Sequence, residues 1–282
     1  MEKCLDRVNP TMLFSLAAEE SVRSGVDAFA GGLRHGNNSG VWSVGLGTTV
    51  DALAAVRELV YDSRTLSLSE LGELMFSDWS GREDLRQRMC RSRVKWGNGD
   101  PVTVGIAQEI VKTVSANVNG KRNSRGGVFK AVGHSGRCHY WLGRATGATP
   151  DGHKAGEELS KNISPTMGAD VEGATALVNA VTTLDACDLP GDFPLDVALL
   201  PSSVAGEKGL GVMRALIERY FERGGMVIQF NIHDPETLRD AQKHPEKYEN
   251  LQVRVCGWNV RWNDIPKVEQ DKFIARAAAI AQ

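Results

Sequence analysis

Gly257 is the residue in this sequence that is best suited to unusual chemistry. It lies in the run Val253-Arg254-Val255-Cys256-Gly257-Trp258, and 25 of the 282 residues follow it. A radical on a backbone α-carbon delocalises into the neighbouring amide groups only if the centre is nearly planar, and glycine has no side chain to crowd such a centre. The alternative is an ordinary turn glycine, which the residue type equally allows.

The elements around this run predict an α/β fold. In the second half of the sequence, short apolar runs alternate with segments of helical spacing. Such alternation is typical of parallel βαβ units, whose chemistry lies at the strand ends and in the loops that follow them. The predicted strands are Leu195–Leu200, Met226–Ile232 and Gln252–Cys256, and the predicted helices are Glu207–Arg223, Pro235–Gln242 and one that opens at Pro266.

The first half of the sequence is predicted to be mainly helical. Ser67 and Glu70 have the spacing of a capping box, in which two side chains satisfy free backbone amides at the start of a helix. The predicted elements are helices over Thr11–Arg23, Val50–Tyr61, the residues after Ser67, and Pro101–Val118, with a glycine-rich loop over Asn123–Gly136.

Several blocks of the sequence resemble one known family. The run around Gly257 resembles the glycyl radical signature of the pyruvate formate-lyase-like superfamily, which usually reads Arg-Val-small-Gly followed by Tyr or Phe. Other blocks resemble segments of that family in the same order: Asn37–Gly40, Asn123–Gly127, Gly147–Glu157, Ile163–Pro165, Gly168–Asp170, Val227–Asn231, Thr237–Gln242 and His244–Glu246. The resemblance covers essentially the whole chain and corresponds to the C-terminal, glycine-loop half of a glycyl radical enzyme.

This resemblance implies a fold and a division of the chain. The family fold is a ten-stranded α/β barrel made of two five-stranded halves. The chain is therefore expected to form half of such a barrel, with its glycine loop near the C-terminus. Residues 1–145 are expected to be the C-terminal part of the pyruvate formate-lyase-like barrel region, and residues 146–282 the glycine radical domain.

The resemblance also implies a reaction type. Family members store an organic radical on a glycine and use it to oxidise a cysteine to a thiyl radical, which removes hydrogen from a small-molecule substrate. Here Gly257 would store the radical, and Arg254, Val255, Cys256 and Trp258 would form the glycine loop. A radical S-adenosylmethionine activating enzyme would install the radical. The protein is thus expected to work anaerobically, to be oxygen-sensitive and to bind no metal.

The family's catalytic cysteine has no counterpart in this sequence. The family's cysteine loop lies well before the block that corresponds to Asn37–Gly40, whereas Cys4 lies only 33 residues before Asn37 and lacks the loop's flanking pattern. Half of a closed barrel would leave open strand edges and an exposed apolar interior. Either a second polypeptide supplies the N-terminal half and the cysteine in a heteromer, or the sequence is a fragment of a longer chain.

Four further residues are candidates for the substrate pocket or for support of the glycine loop. Glu19 lies on the first predicted helix, where relatives place pocket residues, and a solvated helix surface is the alternative. Gln229 and Asn231 share one face of a predicted strand, so they either line the pocket or brace the glycine loop. His153 replaces the family's usual arginine, and it is either a ligand or base or a loop histidine with one hydrogen bond.

Composition limits the remaining function classes. A formal net charge of −2 does not favour nucleic acid or an anionic membrane as a partner, and no apolar run is long enough to span a membrane. The first residues lack the apolar core of a secretory signal, so a cytoplasmic location is expected. Five cysteines without a CxxC pair do not favour a disulfide framework or a zinc site.

The sequence leaves three functions open. The first is the radical-bearing subunit of a split lyase, such as a decarboxylase, a dehydratase or a carbon–carbon lyase. The second is an accessory protein that supplies a fresh glycine loop to an oxygen-damaged enzyme. The third is a phosphate- or nucleotide-binding module at Gly45–Thr49, but this stretch has neither of the glycine spacings typical of such loops. The chain length favours the first over the second, since repair needs only the last strand and its loop.

Overall fold

The computed structural model describes residues 4–255 and 258–280. These residues form helices that pack around three two-stranded sheets. The helices are α1 (Leu5–Val8), α2 (Met12–Ala17), α3 (Glu19–Ser24), α4 (Leu46–Val56), α5 (Leu68–Phe76), α6 (Glu83–Cys90), α7 (Pro101–Val118), α8 (Cys138–Ala145), α9 (Gly173–Val181), α10 (Gly206–Glu222), α11 (Pro235–Lys243) and α12 (Lys267–Ile280). The strands are β1 (Ser39–Trp42), β2 (Phe129–Val132), β3 (Pro194–Leu199), β4 (Val227–Ile232), β5 (Gln252–Val255) and β6 (Trp258–Arg261).

Several predicted elements are confirmed. α7 covers the predicted residues, and Ser67 and Glu70 form the predicted capping box at the start of α5, with backbone-to-side-chain bonds of 2.7 and 3.2 Å. The mixed α/β class is confirmed as well. Within the described part of the chain, no helix has both the length and the apolar character needed to cross a membrane.

The first sheet pairs β1 with β2 in parallel. Ser39 is aligned with Phe129 and Trp42 with Val132. Because parallel strands need a long crossover, helices α4 to α7 lie between them in the sequence. β2 lies inside the segment predicted to be a loop, so that part of the prediction is wrong. A four-residue strand next to several glycines is too short for hydrophobic periodicity to reveal it.

The second sheet pairs β3 with β4 and confirms the predicted βαβ unit, with α10 as the crossover. Asp196 is aligned with Gln229 and Ala198 with Asn231, so these side chains share one mainly polar face of the sheet. The opposite face packs into the main hydrophobic core through Leu195, Val197, Ile228 and Phe230. The sheet therefore separates an apolar core from a polar surface.

The third sheet is an antiparallel hairpin of β5 and β6, called here the glycine hairpin. Val255 is aligned with Trp258 and Gln252 with Arg261. The prediction that β5 belongs to a parallel unit is wrong, because two residues separate the strands and a parallel connection needs a dozen or more. The ten-stranded half-barrel and the domain boundary after residue 145 stay predictions, since the described strands form separate pairs.

The helix predicted over residues 11–23 is divided at Ala18. This residue has an extended backbone conformation, with φ −101° and ψ 113°, and it separates α2 from α3. The Asp27 carboxylate accepts hydrogen bonds from the Thr11 backbone amide at 2.9 Å and from the Ser15 hydroxyl at 2.8 Å. Side-chain bonds of this kind compete with a continuous helix and hold α2 against the turn after α3.

The glycine hairpin has its own hydrophobic cluster, apart from the main core. The main core lies between the β3–β4 sheet and helices α7, α9 and α10. α11, the glycine hairpin and α12 share a second cluster, and these elements are called here the C-terminal module. The buried members of this cluster are Leu238, Ala241, Val253, Trp262, Ile265 and Ala277.

Tyr220 offers a test of how α10 is fixed to the β3–β4 sheet. Its buried hydroxyl lies 3.2 Å from the Phe193 carbonyl and 3.0 Å from the Val227 carbonyl, next to the starts of the two strands. Tyr220→Phe removes this donor, so the free energy of unfolding, measured by urea denaturation, should fall by about 1–3 kcal/mol. Tyr61→Phe, at an exposed tyrosine, should leave the midpoint unchanged. A Tyr220→Phe midpoint equal to that of the wild type would contradict this role.

Candidate active site

Cys256 and Gly257 lie outside the described residues, and the residues on either side of them mark the site. Val255 ends β5, Trp258 begins β6, and the two are aligned across the glycine hairpin. The Trp258 side chain is exposed in this chain. The two strands therefore lead the chain to and from residues 256 and 257 at one end of the hairpin.

Arg254 ties the glycine hairpin to the β3–β4 sheet. Its Nε atom donates to Gln229 Oε1 of β4 at 3.0 Å, and its Nη1 atom donates to Asn259 Oδ1 of β6 at 3.2 Å. Asn259 Nδ2 donates in turn to Gln252 Oε1 at 3.3 Å. Because a guanidinium carries several donors in a planar fork, one side chain bridges both hairpin strands and β4. Sequence reasoning missed Asn259, since nothing marks the strand on which it lies.

Gln229 and Asn231, predicted to share one strand face, are both buried on β4, but their side chains make different contacts. Gln229 braces the hairpin through Arg254. Asn231 instead lines a cavity of about 110 Å³ that Arg254 and Val255 also line. Asn231 Oδ1 is buried and has no hydrogen-bond partner among the described residues.

The cavity lies between the C-terminal module and the rest of the described chain. α12 forms one wall, and two ion pairs cross from this helix: Glu269 with Arg137, and Lys272 with Glu158. Lys272 Nζ also lies 4.7 Å from the centre of the Tyr140 ring. A neighbouring cavity of about 100 Å³ shares part of this wall. The exposed lining of the cavity of about 110 Å³ is mainly apolar, with a few charged side-chain ends, and such a lining suits a small organic molecule.

Sequence reasoning also missed the polar residues behind this cavity. Asp196 is 1% exposed and stands beside Gln229 on the polar face of the sheet. Its carboxylate lies 3.1 Å from Lys161 Nζ and accepts from Asn162 Nδ2 at 2.5 Å. The signal that would have revealed it is the acidic residue itself, in the middle of an apolar strand. A carboxylate is buried there only if other groups compensate its charge.

His153 lies apart from the glycine hairpin, beside a larger cavity of about 560 Å³. Its ring is buried, and neither ring nitrogen has a hydrogen-bond partner among the described residues. Its backbone carbonyl accepts from Trp79 Nε1 at 3.3 Å. The structure therefore does not bring His153 against the glycine hairpin, and a role as ligand or base stays a prediction.

A buried charged cluster anchors the loop that contains His153. Lys95 Nζ donates to the Asp151 carbonyl at 2.8 Å and lies 3.9 Å from the Asp151 carboxylate. Burial raises the pKa of the nearby Asp51 to about 7, although Lys95 opposes this shift. The cluster connects this loop to α4 and to the segment before α7, so it holds the scaffold rather than the glycine hairpin.

Glu19 lies on the surface of the described chain. It begins α3 and pairs with Arg23 at 2.5 Å, and it does not line the cavity beside the glycine hairpin. This position matches the solvated helix surface, and a pocket role for Glu19 stays a prediction. Among residues 4–255 and 258–280, no three His, Cys, Asp or Glu side chains are grouped to hold a metal ion.

Two family models match the chain. The model described as Pyruvate formate lyase-like matches residues 1–143, and the model described as Glycine radical matches residues 159–263, which include Gly257. The first alone covers about half of the sequence. The chain belongs to the glycyl radical enzyme superfamily. The second match indicates a glycyl radical as the cofactor of this superfamily member.

Individual glycyl radical enzymes are similar over almost the whole chain. Trans-4-hydroxy-L-proline dehydratase of Clostridioides difficile is 32% identical over 267 residues, which are 95% of this chain and 34% of the relative. The 4-hydroxyphenylacetate decarboxylase glycyl radical subunit of Clostridioides difficile strain 630 is 28% identical, over 87% of this chain and 30% of the subunit. The solved glycerol-bound B12-independent glycerol dehydratase of Clostridium butyricum matches with a TM-score of 0.87 and 32% identity, over 98% of this chain and 35% of that one.

This glycyl radical chain spans about a third of the length of the relatives it matches. The strands on either side of residues 256 and 257 are paired, and Arg254 bonds to Gln229 of β4 and to Asn259 of β6. The adjoining cavity reaches Val255, two residues from Gly257. The described residues therefore give the glycine hairpin a fixed support and a neighbouring cavity.

Loss of the Gln229 amide should loosen the glycine hairpin. Gln229→Leu removes the acceptor for Arg254 Nε, so hydrogen–deuterium exchange over residues 252–255 and 258–261 should become roughly tenfold faster, which corresponds to about 1.4 kcal/mol. Gln229→Glu keeps an acceptor for the guanidinium and should keep the protection. Unchanged exchange in Gln229→Leu would mean that this bond does not hold the hairpin.

Proposed function

We propose that this chain is the glycyl-radical-bearing subunit of a split glycyl radical lyase, with Gly257 as the residue that stores the radical. The observation that carries the proposal is the glycine hairpin, which Arg254 fixes to β4 beside a cavity. The match of the Glycine radical model across Gly257 supports it. Glycine suits the role because it has no side chain to crowd a planar radical centre.

The radical supplies the means to generate a thiyl radical on a cysteine, which then removes a hydrogen atom from the substrate. The residues of this chain hold the glycine hairpin in position and bind the substrate. Arg254, Gln229 and Asn259 set the position of the hairpin. Asn231 offers an acceptor to a substrate in the cavity, and α12 closes one side of that cavity.

The reacting cysteine is assigned to a partner chain. The described cysteines are Cys4, Cys90, Cys138 and Cys187, and none of them lines the cavity beside the glycine hairpin. Cys256 adjoins Gly257 in the sequence, and a neighbour in an extended chain points its side chain to the opposite side. The relatives are about three times as long as this chain, and one of them is called a glycyl radical subunit.

The substrate is proposed to be a small organic molecule that carries a hydroxyl group. The relatives named above act on or bind trans-4-hydroxy-L-proline, 4-hydroxyphenylacetate and glycerol, and each of these compounds has a hydroxyl. The cavity beside the glycine hairpin has a volume of about 110 Å³, which is on the scale of a small molecule rather than of a polymer chain. Neither nucleic acid nor a membrane is proposed as a partner.

The alternative is a repair protein that lends its glycine loop to a damaged enzyme. Such a protein needs only the last strand and the loop. This chain also has a large core under α7, α9 and α10, and its β3–β4 sheet contributes Gln229 and Asn231 to the site. The contribution of the sheet to the site favours the catalytic subunit.

Gly257 should carry an electron spin after activation. The chain together with its partner is treated anaerobically with a radical S-adenosylmethionine activating enzyme, a reductant and S-adenosylmethionine. Electron paramagnetic resonance should show a doublet, because the spin couples to the one hydrogen left on the α-carbon. Air should then cleave the chain at Gly257 and release the 25 residues that follow it, which mass spectrometry detects.

The Gly257→Ala variant is the control for this experiment, and it should give neither the doublet nor the cleavage product. Cys256→Ala should keep both. A doublet and a cleavage product from Gly257→Ala would rule out Gly257 as the radical site.

The partner chain should be found by anaerobic purification of the tagged protein from its native host. A stoichiometric polypeptide about twice as long as this chain is expected, because the chain spans 34% of a relative. That polypeptide should carry the cysteine that becomes a thiyl radical. Recovery with an intact glycyl radical enzyme would favour the repair protein, and recovery of these peptides within a single longer polypeptide would contradict the split enzyme.

A further inference from the structure

A line of hydrogen bonds runs from Asp196 to His139 behind the cavity beside the glycine hairpin. Asn162 Nδ2 donates to Asp196 Oδ2 at 2.5 Å. Asn162 Oδ1 accepts from the Ser135 backbone amide at 2.9 Å and lies 3.2 Å from Ser135 Oγ. Ser135 Oγ lies 3.1 Å from His139 Nδ1. Asp196, Asn162 and Ser135 are at most 1% exposed, so water does not compete for these bonds.

The Asp196 carboxylate, at the end of the line away from His139, determines which group donates in each hydrogen bond. The Asn162 amide turns its NH₂ group to the Asp196 carboxylate, and its oxygen accepts from the Ser135 backbone amide. The Ser135 hydroxyl then donates its one hydrogen to that oxygen. Its own oxygen accepts from the Asn162 backbone amide at 3.2 Å and from His139 Nδ1–H.

Gly136 supports the same position for the hydrogen on the ring. The His139 ring forms a hydrogen bond with the backbone of Gly136, whose carbonyl can only accept. Ser135 Oγ is 3.4 Å from this carbonyl and 3.1 Å from His139 Nδ1, so the Nδ1 side of the ring faces both acceptors. Nδ1 therefore carries the hydrogen, and Nε2 keeps a lone pair.

His139 is placed to use that lone pair next to the glycine hairpin. The residue lines the cavity of about 110 Å³ together with Arg254 and Val255, and it also lines the neighbouring cavity of about 100 Å³. With Nδ1 held by Ser135, Nε2 is the ring nitrogen left for a molecule in these cavities.

We propose that His139 is an acid–base residue of the lyase reaction, whose Nε2 accepts a proton from a hydroxyl group of the substrate. This inference rests on the proposed function. In a substrate with two neighbouring hydroxyl groups, the imidazolium then gives this proton to the second hydroxyl, whose carbon–oxygen bond breaks as water leaves. His139 therefore ends each turnover neutral, and no external acid or oxidant is needed. Asp196, Asn162 and Ser135 are positioning residues, because they hold the tautomer without touching the substrate.

The electrostatic surroundings keep His139 neutral. Burial lowers the pKa of His139; Glu158 and Asp196 raise it, and Lys161 lowers it further. Other charged and titratable groups on the walls of the two cavities are Arg137, Tyr140, Asp170, Arg254, Glu269, Lys272 and Arg276. A neutral imidazole near pH 7 is the form that can accept a proton.

The tautomer can be measured on the isolated chain, without any turnover. Long-range ¹H–¹⁵N correlation spectra of histidine-labelled protein should show His139 with a protonated Nδ1 and an unprotonated Nε2, titrating below the ordinary value of 6.5. His134, whose Nδ1 lies 3.0 Å from an Asp192 carboxylate oxygen, is an internal reference for the same tautomer. Ser135→Ala removes one of the two acceptors that face Nδ1, so the share of the Nδ1-protonated tautomer should fall. A protonated Nε2 in the wild type would overturn the proposal.

Turnover is measured with the assembled, activated enzyme on two vicinal diols, glycerol and 1,2-propanediol. His139→Gln should keep the radical doublet and lose about 100-fold or more in kcat on the probe that the wild type converts. Ser135→Ala should shift the pH profile of kcat, and the exposed His244→Gln should behave as the wild type.

Each result of the turnover experiment bears on a different claim. A kcat of His139→Gln within twofold of the wild type would overturn the acid–base role. Failure of a doublet-bearing wild type to convert either diol would contradict the pair of hydroxyl groups as proton donor and proton acceptor. Absence of the doublet in the wild type would count against the proposed function, while the measured tautomer would still decide whether His139 can act as a base.

Discussion

The hydrogen bond from Arg254 to Gln229 joins the glycine hairpin to the polar face of the β3–β4 sheet. The hairpin has two short strands, and a two-stranded hairpin is marginally stable by itself in water. It gains order from the cluster it shares with α11 and α12 and from this one polar link. The link is possible because the two faces of the sheet differ in polarity. One face packs on the apolar core, and the other carries Asp196, Gln229 and Asn231.

Because they are buried, the Asp196 and Gln229 side chains on the polar face of the sheet have fixed hydrogen-bond partners. A buried amide or carboxylate is costly unless it is paired, so each one fixes the orientation of its partner. Asp196 orients Asn162, Asn162 orients Ser135, and Ser135 orients His139. The ion pairs from α12 are partly exposed, so each contributes little to stability by itself. The C-terminal module is therefore held by its own core more than by its charges.

Sequence and structure agree best where an element is long or has a strong local signal. α7 has an aspartate cap, a proline at its start and a regular apolar face, and its predicted bounds are those of the structure. The β3–β4 unit has apolar strands and a long crossover helix. Sequence and structure disagree for β2 and β6, because four residues are too few to show the alternation of a strand. They also disagree at Ala18, because the hydrogen bonds to Asp27 come from outside the predicted helix.

The sequence by itself determined the superfamily, the α/β class and the glycine that is proposed to carry the radical, because these depend on local runs of residues in a fixed order. It also pointed to Gln229 and Asn231, since alternation along one strand is a local property. Only the tertiary structure decided that Gln229 braces the hairpin, that Asn231 lines a cavity, and that His153 lies elsewhere. Only it brought Ser135, His139, Asn162 and Asp196 together. The reason is that hydrogen bonds between residues tens of positions apart depend on how the elements pack, and no local pattern records that packing.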